Sequence, residues 1–357
     1  MTKADCWKTY LKTELLFMNR MKHILAILLT ANLCCKLPTF LFAQDIHFSQ
    51  FYNSPLFVNP ALCGSIDGGK IRLGSNYKSQ WKSITPNAYT TYTGSFDMLI
   101  SSKKDYGLSV GLSFYNDRAG ASNYGTSQFN ATVGYIAKLN DANYFSSGIT
   151  SGYGNKSADI SKLKWGSQFD GNTYNPNSST GEINQYSGSI YYPDFSAGLM
   201  WIFKTAEGIG AEAGFSAFHL NRPNISLYND ATDRMYTKVI IHGGINYRSK
   251  NSNTTLMPKL FYSSQGPSKE LLAGMLINYE LGMSSKYTGL LTSSSIAIGG
   301  FYRARDAVVL VFNTELKKKL LIGISYDINI SNLTMVSYGK GGIEISIIYK
   351  WNYTNAE

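Results

Sequence analysis

Apolar and polar side chains alternate with a period of two along most of the chain beyond residue 70. In 127–139, Phe129, Ala131, Val133, Tyr135, Ala137 and Leu139 share one face, and Gln128, Asn130, Thr132 and Lys138 share the other. That is the pattern of a strand with one greasy and one wet side. It recurs at 71–81, where Ile71, Leu73, Tyr77 and Trp81 oppose Arg72, Asn76, Lys78 and Gln80. In 343–353, Ile343, Ile345, Ile347, Tyr349, Trp351 and Tyr353 oppose Glu344, Ser346, Lys350 and Asn352. Comparable runs fall at 88–100, 105–116, 143–154, 194–204, 208–219, 236–248, 254–264, 269–281, 295–304, 307–315 and 320–330. The reading is an all-β chain of about 14 antiparallel strands, an even number typical of single-chain outer-membrane barrels. Each run is close to the roughly 9 to 11 residues that a tilted strand needs to cross hydrocarbon.

The connections are an independent check. Short polar turns at 101–104, 140–143, 205–208, 249–253 and 316–319 alternate with longer segments at 155–193, 220–235 and 331–340. An outer-membrane barrel has short periplasmic turns and longer outer loops. Two stretches depart from the rule: 282–294 is long on the short side and 265–268 short on the long side. A soluble β-sandwich also alternates. Against it stand the small or polar second face and the aromatics Tyr349, Trp351 and Tyr353 at one strand end, where an interfacial girdle belongs.

Composition narrows this further. Charged residues are 16% and aromatics 14% of 357 residues, with 33 Gly, against roughly 25% charged in an average soluble domain. The 44% hydrophobic content excludes disorder. Without residues 1–44, which hold 6 of the 33 basic and 2 of the 23 acidic side chains, the formal charge falls from +10 to +6, a modest balance that suits an envelope rich in anionic lipid and does not point to nucleic acid.

Residues 1–43 are expected to be an N-terminal extension and signal peptide, with Lys22 before an apolar run from Ile24 to Leu33 and a cleavage-like Leu41-Phe42-Ala43. An anchor helix is disfavoured by Lys36 and Pro38, and a lipid anchor by the residues before Cys34 and Cys35. Residues 44–68 form an Asn/Pro-rich segment and 69–357 the barrel, with a long loop at 155–193. Pro55 and Pro60 exclude a central strand in the first of these, and the segment is expected to pack under or into the barrel. Cys63 is the one cysteine beyond residue 43, so neither an intramolecular disulfide nor a Cys-based metal site is expected there.

Chemistry-bearing patterns are sparse. His47, His219 and His242 are widely separated, and no catalytic, cofactor-binding or metal-binding motif occurs in a suitable context. We expect no enzyme and no cofactor. A hydrolase would need His219 or His242 in a cluster with Ser and Asn or Asp; a hydrogen-bonded luminal or loop histidine is the plainer reading of each. Arg72, Lys78, Glu212, Arg248, Arg303, Glu344 and Lys350 lie on wet faces, lining a channel or, as both signs occur, pairing across the interior. Phe48, Gln50, Asn59 and Pro60 are candidate plug or partner-contact residues. Trp165, Phe169, Tyr174 and Tyr186, set among small polar residues in the long loop, are candidate contacts or parts of a folded lid.

The chain resembles the PorP/SprF membrane proteins of type IX secretion and gliding. The family's opening pattern is matched by Gln44, Asp45, Phe48, Ser49 and Gln50, then by Asn59, Pro60, Ala61 and Gly64. Asn53 and Pro55 stand one residue further apart than in the family, and Cys63 replaces a small residue. Collinear matches follow at Gln80-Trp81, Asp117 to Gly120, Pro193-Asp194-Phe195 with Gly198, and His219-Leu220 with Pro223-Asn224. Further on come Tyr302-Arg303 with Asp306-Ala307, Ser325-Tyr326-Asp327 with Ser331, and Gly342-Ile343-Glu344-Ile345 before Tyr349. Gly341-Gly342 stand where the family usually has Ser-His.

The resemblance implies a barrel in the outer membrane of a diderm bacterium that supports the secretion machinery, either its core or the surface localisation of one adhesin. Its implied partners are outer-membrane lipid, a secreted adhesin or cargo with a type B C-terminal signal, and periplasmic secretion subunits. The alternative is a channel or hydrophobic-substrate transporter.

Overall fold

The computed structural model describes residues 45–352 apart from 68, 83–84, 86, 103–105, 181–185, 206–207, 229–231, 249–251, 283–292 and 333. The expected signal peptide, Tyr353 and most of the 282–294 connection lie outside the described residues.

Fourteen strands form one closed antiparallel sheet: β1 (Ile71–Gln80), β2 (Tyr89–Ser102), β3 (Tyr106–Ala119), β4 (Tyr124–Lys138), β5 (Asn143–Ser157), β6 (Ser189–Lys204), β7 (Ile209–Phe218), β8 (Lys238–Arg248), β9 (Thr254–Gln265), β10 (Ser268–Leu281), β11 (Ser294–Arg303), β12 (Ala307–Leu316), β13 (Leu320–Asn329) and β14 (Lys340–Trp351). Each strand pairs with its sequence neighbours, and β1 closes on β14 from Ile71 opposite Trp351 to Gln80 opposite Gly342. A spanning sheet must close, because an open edge would leave backbone donors and acceptors unpaired in hydrocarbon.

The two faces follow the alternation. Phe129, Val133 and Ile149 are exposed outward at 67%, 52% and 65%, whereas Thr132 and Ser146 point inward and are buried. Tyr349 and Trp351, with ring centroids 5.3 Å apart, lie at the end of the barrel where β1 begins and β14 finishes. Most turns there are short, as between β12 and β13, the connection 282–293 between β10 and β11 being the exception. The opposite end carries the connections 158–188, 219–237 and 330–339. By the asymmetry of outer-membrane barrels, the first end faces the periplasm and the second the outside.

Strand boundaries depart from the alternation most at β6, which starts at Ser189, five residues before the expected 194. Pro193 lies inside β6 opposite Tyr153. β7 pairs only with Ala197–Lys204 of β6, so Pro193 occupies a locally free edge where a missing N–H is tolerated. The long loop is correspondingly shorter, 158–188 rather than 155–193.

All seven of the wet-face charges are paired. Arg72 binds Asp97 at 2.7 Å, Lys78 lies 3.9 Å from Glu344, Lys259 reaches Glu212 at 3.1 Å, and Lys350 reaches Glu315 at 2.6 Å. Arg248 meets Glu280 at 3.0 Å, and Arg303 meets both Asp327 at 2.8 Å and Glu270 at 3.0 Å. Several pairs bridge next-but-one strands, Glu212 on β7 to Lys259 on β9 for instance, a reach that the inward curvature of the wall permits.

The outward register makes a direct prediction. Val133→Arg should cost roughly 2 to 4 kcal/mol in urea unfolding of lipid-reconstituted protein, since it places a guanidinium at mid-membrane. Asn332→Arg, in an exposed outer loop, should be neutral; equal costs at the two positions would refute the register.

Candidate functional site

The lumen is filled by the chain's own N-terminal segment. Residues 45–66 pass through the barrel as short helical turns, Phe51–Asn53, Pro55–Val58 and Pro60–Leu62. Pro55 and Pro60 sit at first-turn positions, where a missing N–H costs nothing and the fixed φ starts the turn. Such a segment cannot join the sheet ladder, so its backbone must find partners on the wall.

The wall supplies them. Ser216 Oγ donates to the Val58 carbonyl at 2.6 Å, Ser146 Oγ to Ala61 at 2.7 Å and Ser109 Oγ to Cys63 at 2.8 Å. Lys78 Nζ donates to the His47 carbonyl and Lys238 Nζ to that of Ile46. Glu344 accepts the Ser49 and Gln50 amides at 2.7 and 3.1 Å, and Ser49 Oγ lies 2.7 Å from Asp327 and 2.6 Å from an Arg303 nitrogen. The Gln50 and Asn53 side chains continue the network to Ser325 and Ser346. On the opposite flank the contact is apolar: Phe51 packs with Val58, Ile240, Phe261, Leu272, Leu276, Phe301, Val309 and Val311. Phe48 is buried with its ring 5.9 Å from Phe57.

Asn59 and Pro60 rest on a floor of glycines. Gly134 on β4 faces Gly148 on β5, which faces Gly198 on β6, which in turn faces Ser216 on β7. A Cβ on Gly148 would lie 2.3 Å from the Pro60 carbonyl oxygen, and one on Gly198 would lie 1.9 Å from Asn59 Oδ1. Asn59 accepts the Ala61 amide at 2.9 Å, donates to the Leu199 carbonyl at 3.0 Å and lies 3.1 Å from His242 Nε2.

At the outer mouth, Asp45 Oδ2 lies 2.5 Å from His219 Nε2, while His219 Nδ1 lies 2.9 Å from Asp194 Oδ1. Burial alone would depress His219, but the Asp45 and Asp194 carboxylates on its two nitrogens raise it to about 9. Both ring nitrogens are therefore engaged by carboxylates, and His242 serves Asn59. Among the described residues, neither histidine meets a serine in a nucleophile-and-base arrangement.

The described residues of loop 158–188 fold on one another. Phe169 bridges Tyr174 across a turn in which Asp170 accepts the Asn172 and Thr173 amides. Tyr174 and the Trp165 amide both donate to Gln168 Oε1, at 2.9 and 3.1 Å. Tyr186 donates to the Ala158 carbonyl and pairs with Tyr228 of the 219–237 connection. Phe169 and Tyr174 remain exposed at 55% and 38%. Thus Phe48, Gln50, Asn59 and Pro60 come together inside the barrel, apart from Trp165, Phe169, Tyr174 and Tyr186 outside it.

Residue-by-residue reading missed the glycine floor and the carboxylate partners of His219; it placed Arg303 and Glu344 in pairs across the interior but not around Ser49 and Gln50. The signal of the floor is distributed: Gly134, Gly148 and Gly198 become one surface only when the register of three strands is known.

Two outcomes follow. Gly148→Ala should raise amide exchange in 55–63 by about tenfold or more, the scale of losing one or two buried hydrogen bonds, while Gly94→Ala, with nothing within 4 Å of its Cβ, should leave it unchanged. For the latch, a raised histidine pKa adds stability in full below about 6.5 and loses it as pH climbs through about 9. NMR titration of the His219 imidazole should give a midpoint near 9 that falls in Asp45→Asn.

The barrel is similar to solved outer-membrane structures. The TodX deltaS2S3 mutant monoaromatic hydrocarbon channel superposes with a TM-score of 0.50 and 9% identity, over 83% of this chain and 93% of that one. The CymD monoaromatic hydrocarbon channel gives 0.49 and 8%, over 85% and 94%. A Pseudomonas aeruginosa FadL homologue gives 0.42 and 9%, over 84% and 94%. Among curated protein sequences none matches. At these identities the likeness establishes a barrel fold alone. The sequence itself is more specific, because residues 40–349 match the profile of the type IX secretion system membrane protein PorP/SprF. With nearly the whole barrel and its luminal segment inside that match, this chain belongs to the PorP/SprF family of type IX secretion system membrane proteins.

Proposed function

We propose that this barrel is a closed, non-catalytic anchor that keeps a secreted protein at the cell surface by holding its C-terminal β-domain against the outer loops. An outer-membrane barrel of this family has a secretion-related role in the outer membrane; the anchoring role is our reading. The observation that carries it is the occupied lumen. Residues 45–66 bind every quadrant of the wall, from Glu344 and Asp327 through Phe261 to Ser216, Ser146 and Ser109. A barrel filled in this way offers its rims, not its interior, to other molecules.

The outer rim has the chemistry for protein contact. Phe169 and Tyr174 are exposed on a hairpin stiffened by Gln168 and Asp170, and rigid aromatics on a preformed surface contribute most to protein interfaces. Contact with periplasmic secretion subunits would use the inner turns.

Affinity capture from detergent-solubilised envelopes tests the proposal. Wild-type protein should retain a large secreted protein bearing a C-terminal β-domain, and Phe169→Ala with Tyr174→Ala should reduce recovery about tenfold, as loss of one hot spot does. Undiminished capture by the double variant would remove the loop from the mechanism. In planar bilayers the purified protein should carry no steady current; a sizeable one would favour the channel or hydrophobic-substrate transporter instead.

A further inference from the structure

The direction in which the N-terminal segment traverses the lumen has a topological outcome. Its contacts descend the wall in sequence order. Asp45 meets His219, just past the outer end of β7, and its amide donates to Gln265, the last residue of β9. Ile46 meets Lys238, the first residue of β8, and His47 meets Lys78, two residues short of the outer end of β1. Ser49 and Gln50 are held by Asp327, Ser325 and Glu344. Asn53 then bonds Ser346, and Val58 bonds Ser216.

The descent continues to the inner rim. Ala61 meets Ser146, the fourth residue of β5 from its inner end, and Cys63 meets Ser109, the fourth of β3. Gly64 and Leu62 are bound by Asp97 and Arg72, Arg72 being the second residue of β1. Lys204, the last residue of β6, pairs with Asp67, and the Lys70 amide donates to Trp351, the last residue of β14. The chain therefore enters β1 from the inner rim after running the length of the lumen from the outer one.

We propose that the amino-terminal end of the exported chain is displayed on the cell-surface side, at the outer mouth beside the 158–188 and 219–237 connections, although the first strand starts at the periplasmic rim. An exported barrel whose N-terminal residues merely hung from β1 would keep them in the periplasm. Here Asp45, the first described residue, is latched by His219, with Asp194 behind it, at the outer mouth of the lumen. This placement rests on the plug's path, the orientation of the barrel and removal of the expected leader at 1–43, and it stands or falls separately from cargo anchoring.

Site-selective labelling of intact cells tests it. A short epitope is inserted between Ala43 and Gln44, with controls after Asn177 in the outer loop and after Asp141 in the β4–β5 turn. We expect the N-terminal and Asn177 epitopes to bind antibody on intact cells and the Asp141 epitope to bind only after permeabilisation. An N-terminal epitope that is silent until permeabilisation overturns the proposal, as does an Asp141 epitope accessible on intact cells. Because an epitope can disturb threading, Gln44→Cys in a Cys63→Ala background, probed with a membrane-impermeant maleimide and peptide mapping, gives a minimal second reading. Labelling of the introduced thiol on intact cells supports the inference, and labelling only after lysis refutes it.

Discussion

Every backbone amide and carbonyl removed from water must find a partner, and this requirement shapes both layers of the molecule. In the wall it is met by ladder bonds that join every neighbouring pair of strands around the circle, including the β1–β14 seam. The luminal segment lies in no ladder, so the same need is met by side chains of the wall: serines 109, 146 and 216 donate to its carbonyls, and Glu344 accepts its amides. The inner face is therefore polar for a reason other than water. It is a template cut for one peptide.

That template explains how opposite charges coexist in a narrow space. Arg303, Asp327, Lys78 and Glu344 are almost wholly buried, and a buried pair alone adds little net stability because desolvation offsets attraction. Ser49 and Gln50 add donors and acceptors that complete the set. Segment and cradle satisfy each other, and removing either leaves charges without adequate partners.

The outer face of this design was plain in the sequence, whereas the inner one was only partly so. Alternation located β4 to within three residues at its start, because lipid selects a continuous apolar stripe through Phe129, Ala131 and Val133. The start of β6 was not legible, since a strand that runs through Pro193 depends on β7 stopping short, a tertiary fact absent from the local pattern. Asn59 and Pro60 announced tight turns, but their seat is assembled from Gly134, Gly148, Gly198 and Ser216 on separate strands. Periodicity reports the side on which a residue points, not what waits there. His219 likewise read as a hydrogen-bonded luminal or loop histidine, but its partners, Asp45 and Asp194, are brought to it only by the fold.

The span in sequence between the luminal segment and its cradle governs how the molecule can be built. Gln50 is bonded to Glu344, 294 positions away, so some of the earliest residues to be synthesised find their partners only after nearly all the hairpins exist. Ring closure and occupation of the interior must then be late, coupled events in biogenesis. A nascent sheet that sealed prematurely would trap an empty, charge-lined bore with its leading peptide stranded on the wrong side.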